Sequence, residues 1–323
     1  MRYAGMYPLA LALVLIMAAA PLLSAQTDKQ ERLAHAFTLE RDGRAEQAIA
    51  LLRTLLESKS LDAAGTGEAW NILGLAYKDQ GNFADAQHAF AQSIQILERS
   101  PSHTREYGMA LDNFGGLLLA MGQAEDAGRV REKALHVYEK TRDHTGIALA
   151  CSDLAGLAFS QKRLRRGKEY LDRAQKEAQL ASDLDDDNLA AISSMQGWLA
   201  LLDGDAAATV AAYQRSLDLW RRRHGETHPS TGWGYVLLGN AKAEAGELTP
   251  ALADMRSGLA VLERNLGRQN ARYWTAEIAY SRVLDRTGAR AEAARIRTDA
   301  ESKLQDLNRA QCGTCTVSAF AFH

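Results

Sequence analysis

The 323-residue chain carries a formal net charge of -2 with 24% charged residues. It is long enough for a sizeable core and too evenly charged for a general nucleic-acid binder, which needs a basic face. Five prolines and 7% aromatics, among abundant Ala, Leu, Arg, Glu and Gln, favour helix.

The N-terminus stands apart from the rest. Arg2 precedes an apolar run from Leu9 to Ala20, then Pro21-Leu22-Leu23-Ser24-Ala25 and the polar Gln26-Thr27-Asp28-Lys29. A positive start, a short apolar stretch and small residues before a polar chain predict a secretory signal peptide over 1–25, cut after Ala25. The imperfect Leu23 leaves an uncleaved anchor as the alternative. The run is short for a membrane span, so the expectation is an exported protein, periplasmic or extracellular, with no stable membrane span after cleavage.

From Asp28 onward the chain repeats itself. The clearest unit runs from Ala69 to Ile94: Trp70, Leu73, Gly74 and Tyr77, a turn at Gly81, then Phe83, Ala86 and Phe90. Large and small residues alternate at helical spacing, so two short helices pack closely across the turn. The turn residue recurs at Gly43, Gly122, Lys162, Gly204, Gly246 and Gly288, in steps of 38, 41, 40, 42, 42 and 42 residues. A period near 40 sustained in this way predicts a helical solenoid. The first pair, Asp28 to Lys59, has His35-Ala36 in place of the Leu-Gly pair. The seventh, Ala271 to Leu307, is weak and caps the stack.

These residues resemble the tetratricopeptide repeat, matching it at Trp70, Leu73, Gly74, Tyr77, Gly81, Phe83, Ala86 and Phe90. The linker Gly225-Glu226-Thr227-His228-Pro229 is similar to the Gly-x-x-His-Pro linker of kinesin light chains and their bacterial relatives. The resemblance covers roughly Asp28 to Leu307. It implies an all-α fold, a right-handed superhelical solenoid of about seven antiparallel helix pairs over 26–308, with a tail over 309–323. Other linkers keep only traces of the motif, so the partners of kinesin light chains do not carry over.

Few constellations suggest chemistry. His224 and His228 flank Glu226, but Gly225 and Pro229 break any helix that would align them on a metal. Asp183, Asp185, Asp186 and Asp187 lack the Gly and Glu of a calcium loop and read as a linker capping the next helix. Two basic runs, Lys162 to Lys168 and Arg221-Arg222-Arg223, read as solvated helix faces. Cys151 reads as a small buried apolar residue. In an exported protein Cys312 and Cys315 are candidates for a local disulfide. No catalytic, cofactor or metal residues are predicted, and the chain is read as no enzyme.

The first helix of each pair lines the concave face of such a stack. Its inward positions include Glu68, Met109, Leu149, Ala191 and Trp233 at one level, with Leu75, Gly116, Gly156, Trp198 and Asn240 two turns on. The candidate partner-binding set is Asn71, Asp112, Phe159, Trp198, Trp233 and Asn240: three apolar anchors among hydrogen-bonding groups. Periodicity alone does not distinguish such a groove from a core. The expected function is a non-enzymatic interaction scaffold or adaptor of the cell envelope, binding a protein or peptide partner along the groove and no nucleic acid. The alternative is a structural spacer or self-assembling scaffold using the C-terminal tail.

Overall fold

The computed structural model describes residues 28–100 and 102–311, with side chains to Leu307. The N-terminal segment and the Cys312–Cys315 tail lie outside the described residues. Within them the chain forms fourteen helices and no strand. They pair as residues 28–41 (α1) with Ala45–Glu57 (α2), Ala63–Asp79 (α3) with Phe83–Glu98 (α4), and Thr104–Ala120 (α5) with Ala124–Thr141 (α6). His144–Ser160 (α7) pairs with Leu164–Leu180 (α8), and Asp186–Leu202 (α9) with Ala206–His224 (α10). Pro229–Glu244 (α11) pairs with Leu248–Leu266 (α12), and Ala271–Arg286 (α13) with Arg290–Gln311 (α14). The result is an all-α solenoid of seven helix pairs.

Each pair turns in the same way. All seven turn residues have positive φ, from 58° at Lys162 to 92° at Gly288. In the second pair Gly81 N–H donates to Lys78 O and Asn82 N–H to Tyr77 O, both at 2.9 Å. These two bonds close the last turn of α3 with a left-handed residue, which glycine adopts without a side-chain clash. At the fourth turn Lys162 N–H donates to Phe159 O and Arg163 N–H to Ala158 O, the equivalent bonds without a glycine.

Packing within a pair follows a fixed interval. Phe90, Arg131, Leu171, Tyr213 and Met255 each stand sixteen residues after Gly74, Gly115, Ala155, Gly197 and Gly239. The large side chain of the second helix fills the space left by the small residue of the first. A Cβ on Gly74 would lie 2.8 Å from the Phe90 ring, and Phe90 is fully buried. Burying a phenylalanine of this kind contributes about 2–3 kcal/mol. The third pair places Arg131 at this core position, 8% exposed, between Asp112 and Asp153.

Stacking sets the inside and the outside. Successive first helices pack on each other, α3 on α5, α5 on α7, α7 on α9 and α11 on α13. Successive second helices are not among these packed pairs, so they fan outward. The inner wall is therefore built from the first helices, and the stack curves around it.

Candidate functional site

The curvature brings the first pair back against the fifth and sixth. At the end of α1, Arg41 reaches Asp185 at 3.3 Å and also pairs with Asp187. Its carbonyl oxygen lies 3.0 Å from His228 Nε2. His228 Nδ1 accepts from Ser230 N–H at 3.1 Å, which caps α11 and leaves Nε2 as the protonated donor to Arg41. His224 lies with its ring stacked on His228 at 4.0 Å and binds Asp187 through Nε2 at 2.6 Å. Burial lowers the pKa of both imidazoles, assisted at His224 by Arg41 and Arg223 and at His228 by His224 and Arg272. The two histidines of the linker thus close a seam between distant repeats.

Of the aspartates around the start of α9, Asp185 and Asp187 serve this seam and Asp183 and Asp186 tie neighbouring helices. Asp185 caps α9 through Asn188 N–H at 3.1 Å. Asp183 binds Arg105 at 2.7 Å and the Thr145 hydroxyl, and Asp186 binds Arg222 at 2.7 Å. The basic run after the α7 turn is spread over separate pairs: Arg163 with Glu125, Arg166 with Glu132 and Lys168 with Asp203.

Behind the seam the inner wall encloses two adjoining cavities of about 910 and 620 Å³. Gly43, Asp79, Leu266 and Arg272 line both. The smaller has an apolar floor of Leu75, Met109, Leu149 and Ala191, one residue from each of α3, α5, α7 and α9. Met109 is 41% exposed there. The larger cavity is walled by the turns at Gly43 and Gly81 and by the α12–α13 linker.

The charges in this chamber are unusual. Glu40 is buried, and its carboxyl is pushed up to about 7 by burial first and by neighbouring Asp79 second, against the pull of Lys78 and Arg41. Arg272 is open to the chamber solvent yet surrounded by protein, and that desolvation lowers its pKa while Asp79 raises it. Its guanidinium lies 5.6 Å from the centre of the Trp233 ring.

The residues singled out in the sequence are distributed differently. Phe159 is only 3% exposed, packed edge-on against Trp198 at 5.9 Å, and its ring fills the space over Gly167. It belongs to the core, because the last turn of α7 faces its own partner helix. Asn71 is buried and accepts from Asn113 at 3.1 Å, while Asp112 lies beside Arg131. Trp198, Trp233 and Asn240 are half-buried. None of the six lines the two cavities. Of the three aromatic residues only Phe159 is a packing residue, while Trp198 and Trp233 keep part of their surface. The lining residues Met109, Leu149 and Ala191 share one repeat position, and that recurrence was their signal. Glu40, Arg41 and Arg272 had no local signal. Cys151 is buried, and burial pushes its thiol up to about 12, which makes it inert.

Comparison with known proteins agrees with the fold. Residues 68–100 and 199–264 match family models described as tetratricopeptide repeat. No curated protein matches the chain by sequence. Among solved structures it is similar to the Rap conjugation gene regulator of the plasmid pLS20 in complex with the Phr* peptide. That match has 15% identity and TM-score 0.64 over 86% of this chain and 76% of that one. A Rap protein complexed with competence and sporulation factor matches at 12% identity and TM-score 0.62, over 87% and 78% of the two chains. BtubC (BKLC) from P. vanneervenii matches at 17% identity and TM-score 0.50, over 70% and 91%. With two stretches matching the repeat family and seven helix pairs turning alike, the chain is a tetratricopeptide-repeat protein.

Proposed function

We propose that this chain is a non-catalytic interaction module that holds an extended peptide segment of a partner protein in its inner chamber, in the cell envelope. The observation that carries the reading is the chamber floor, where exposed Met109 stands beside Leu75 and Leu149 inside an enclosure of helix ends. An apolar floor ringed by polar groups suits a peptide side chain with its backbone hydrogen-bonded above it. The two Rap structures, which hold a peptide and a competence and sporulation factor, support the reading by fold alone. The envelope placement rests on the N-terminal signal pattern.

A photo-crosslinking amino acid placed at Met109, and in a second protein at Gln87 on the outer helix α4, tests the proposal. Crosslinking in the native envelope fraction is expected at Met109, mapping to one short partner segment, and not at Gln87. Crosslinks at Gln87 alone would place the working surface on the outside.

A further inference from the structure

Most charges that line the two cavities are already matched. Asp79 lies 3.8 Å from Lys78. Asp185 and Asp187 meet Arg41 and Arg223, and Asp143 and Asp183 meet Arg105. His224 and His228 are engaged in the seam. At the start of α2, Arg44 and Glu46 stand at the exposed rim with opposite signs. Glu40 is buried, and burial favours its neutral acid. Arg272 is the exception. It lines both cavities and so stands where they join. Among the described residues its guanidinium makes no hydrogen bond and has no carboxylate within ion-pair distance; its side-chain contact is the Trp233 ring. A guanidinium keeps its charge at any ordinary pH, and enclosing it without a counter-ion is costly. An aromatic ring attracts the cation but leaves the N–H donors in its plane unsatisfied. A carboxylate can accept two of those donors in parallel.

Resting on the peptide reading above, we infer that the segment held here carries an acidic residue: an Asp or Glu side chain within it pairs with Arg272, and a neighbouring apolar side chain lies on Leu75, Met109 and Leu149. Because Arg272 stands at the junction of the cavities, the bound chain continues to either side of it, which puts the carboxylate inside the segment rather than at its end. A lysine or arginine in the same place would meet carboxylates that already hold cations and would leave Arg272 unsatisfied. The floor residues set the second requirement, because a wholly hydrophilic acidic segment would leave Met109 uncovered.

The test passes two positional-scanning hexapeptide libraries over the immobilised full chain, one amidated at the C-terminus and one with a free C-terminal carboxylate. Fluorescence titration then compares the best-retained amidated peptide with its analogue bearing Gln or Asn for the acidic residue. Asp and Glu should be enriched over Lys and Arg in the amidated library, with apolar residues beside them. The acidic peptide should bind about tenfold more tightly than its amide analogue, a ratio that shrinks with added salt. Arg272→Met keeps the aliphatic stem and should bring that ratio close to one without weakening the amide analogue. Arg272→Gln, polar and open to the chamber solvent, gives a second variant should the first misfold, with the same expected result. Peptides retained without acidic enrichment, retention that requires the free C-terminal carboxylate, or a ratio that survives the loss of Arg272 would each overturn the inference and leave the peptide reading standing. A chain that retains no peptide would remove both.

Discussion

Lys162 stands where the other six turns hold glycine, with φ of 58°. A side chain in this region costs about 1 kcal/mol or more, so Lys162→Gly is expected to stabilise the chain by about 0.5–1 kcal/mol in a urea titration. Gly74 has the opposite sign. Alanine is ordinarily the better helix former by about 1 kcal/mol, but a Cβ here meets the Phe90 ring at 2.8 Å. Gly74→Ala should lose about 1–3 kcal/mol through overpacking, read as a lowered urea midpoint. Glu40 gives a pH signature. Its carboxyl is raised from 4.5 to about 7 in the folded chain, chiefly by burial. The folded state therefore holds more proton than the unfolded state between those values, and this contribution to stability falls as pH rises through that window. Asp112, raised to about 7 by burial and by Asp153, acts in the same direction. Glu40→Gln should flatten the decline in melting temperature between pH 5 and pH 8, by roughly 1–2 kcal/mol at the alkaline end. An unchanged slope would assign the decline to the other raised carboxyls, Asp112 and Glu68.

At the scale of elements, the small-to-large interval of sixteen residues holds each pair, and the left-handed turn sets its direction. Both lie within one repeat, so both could be read from the chain. The third pair shows how far such a pattern can bend. Arg131 occupies the position of Phe90 or Met255 and is met there by Asp153 at 2.8 Å and Asp112 at 3.7 Å. Removing Arg131 leaves Asp112 buried without its cation, although Asp153 is half open to water, and breaking a buried pair costs up to about 3–5 kcal/mol. Arg131→Ala should therefore melt well below the wild type, whereas Arg131→Met combined with Asp112→Asn and Asp153→Asn should recover most of the loss. Calorimetry of the two variants compares them directly.

For the whole molecule, the seam decides the shape. Arg41 bridges to residues 144 positions away at Asp185, and its carbonyl accepts from His228, 187 positions away. Arg41→Met keeps the aliphatic stem and removes the charge. It should open the superhelix, raise the radius of gyration seen by small-angle X-ray scattering and speed amide exchange in α1 and α2. Scattering identical to the wild type would show that curvature alone holds the ends together. Acid should act on the same seam. His224 and His228 have pKa values lowered by burial, so the unfolded chain binds their protons more readily. Their contribution fades as pH falls through the ordinary histidine range.

The repeat period, the seven turns and the small-to-large interval are set by contacts between residues at most about one repeat apart, and a linear pattern records such contacts directly. The sequence by itself therefore determined the helix pairs, the inward side of each first helix and the position shared by Met109, Leu149 and Ala191. It did not determine which inward residues stay open. Phe159 and Met109 look alike as apolar residues on one face, yet one lies over Gly167 and the other borders a cavity. Only the tertiary structure decided that, and it alone brought Glu40, Asp79 and Arg272 around one space. The reason is cumulative: small rotations between successive pairs sum over five repeats before Arg41 meets Asp187, and no local stretch of sequence contains that sum.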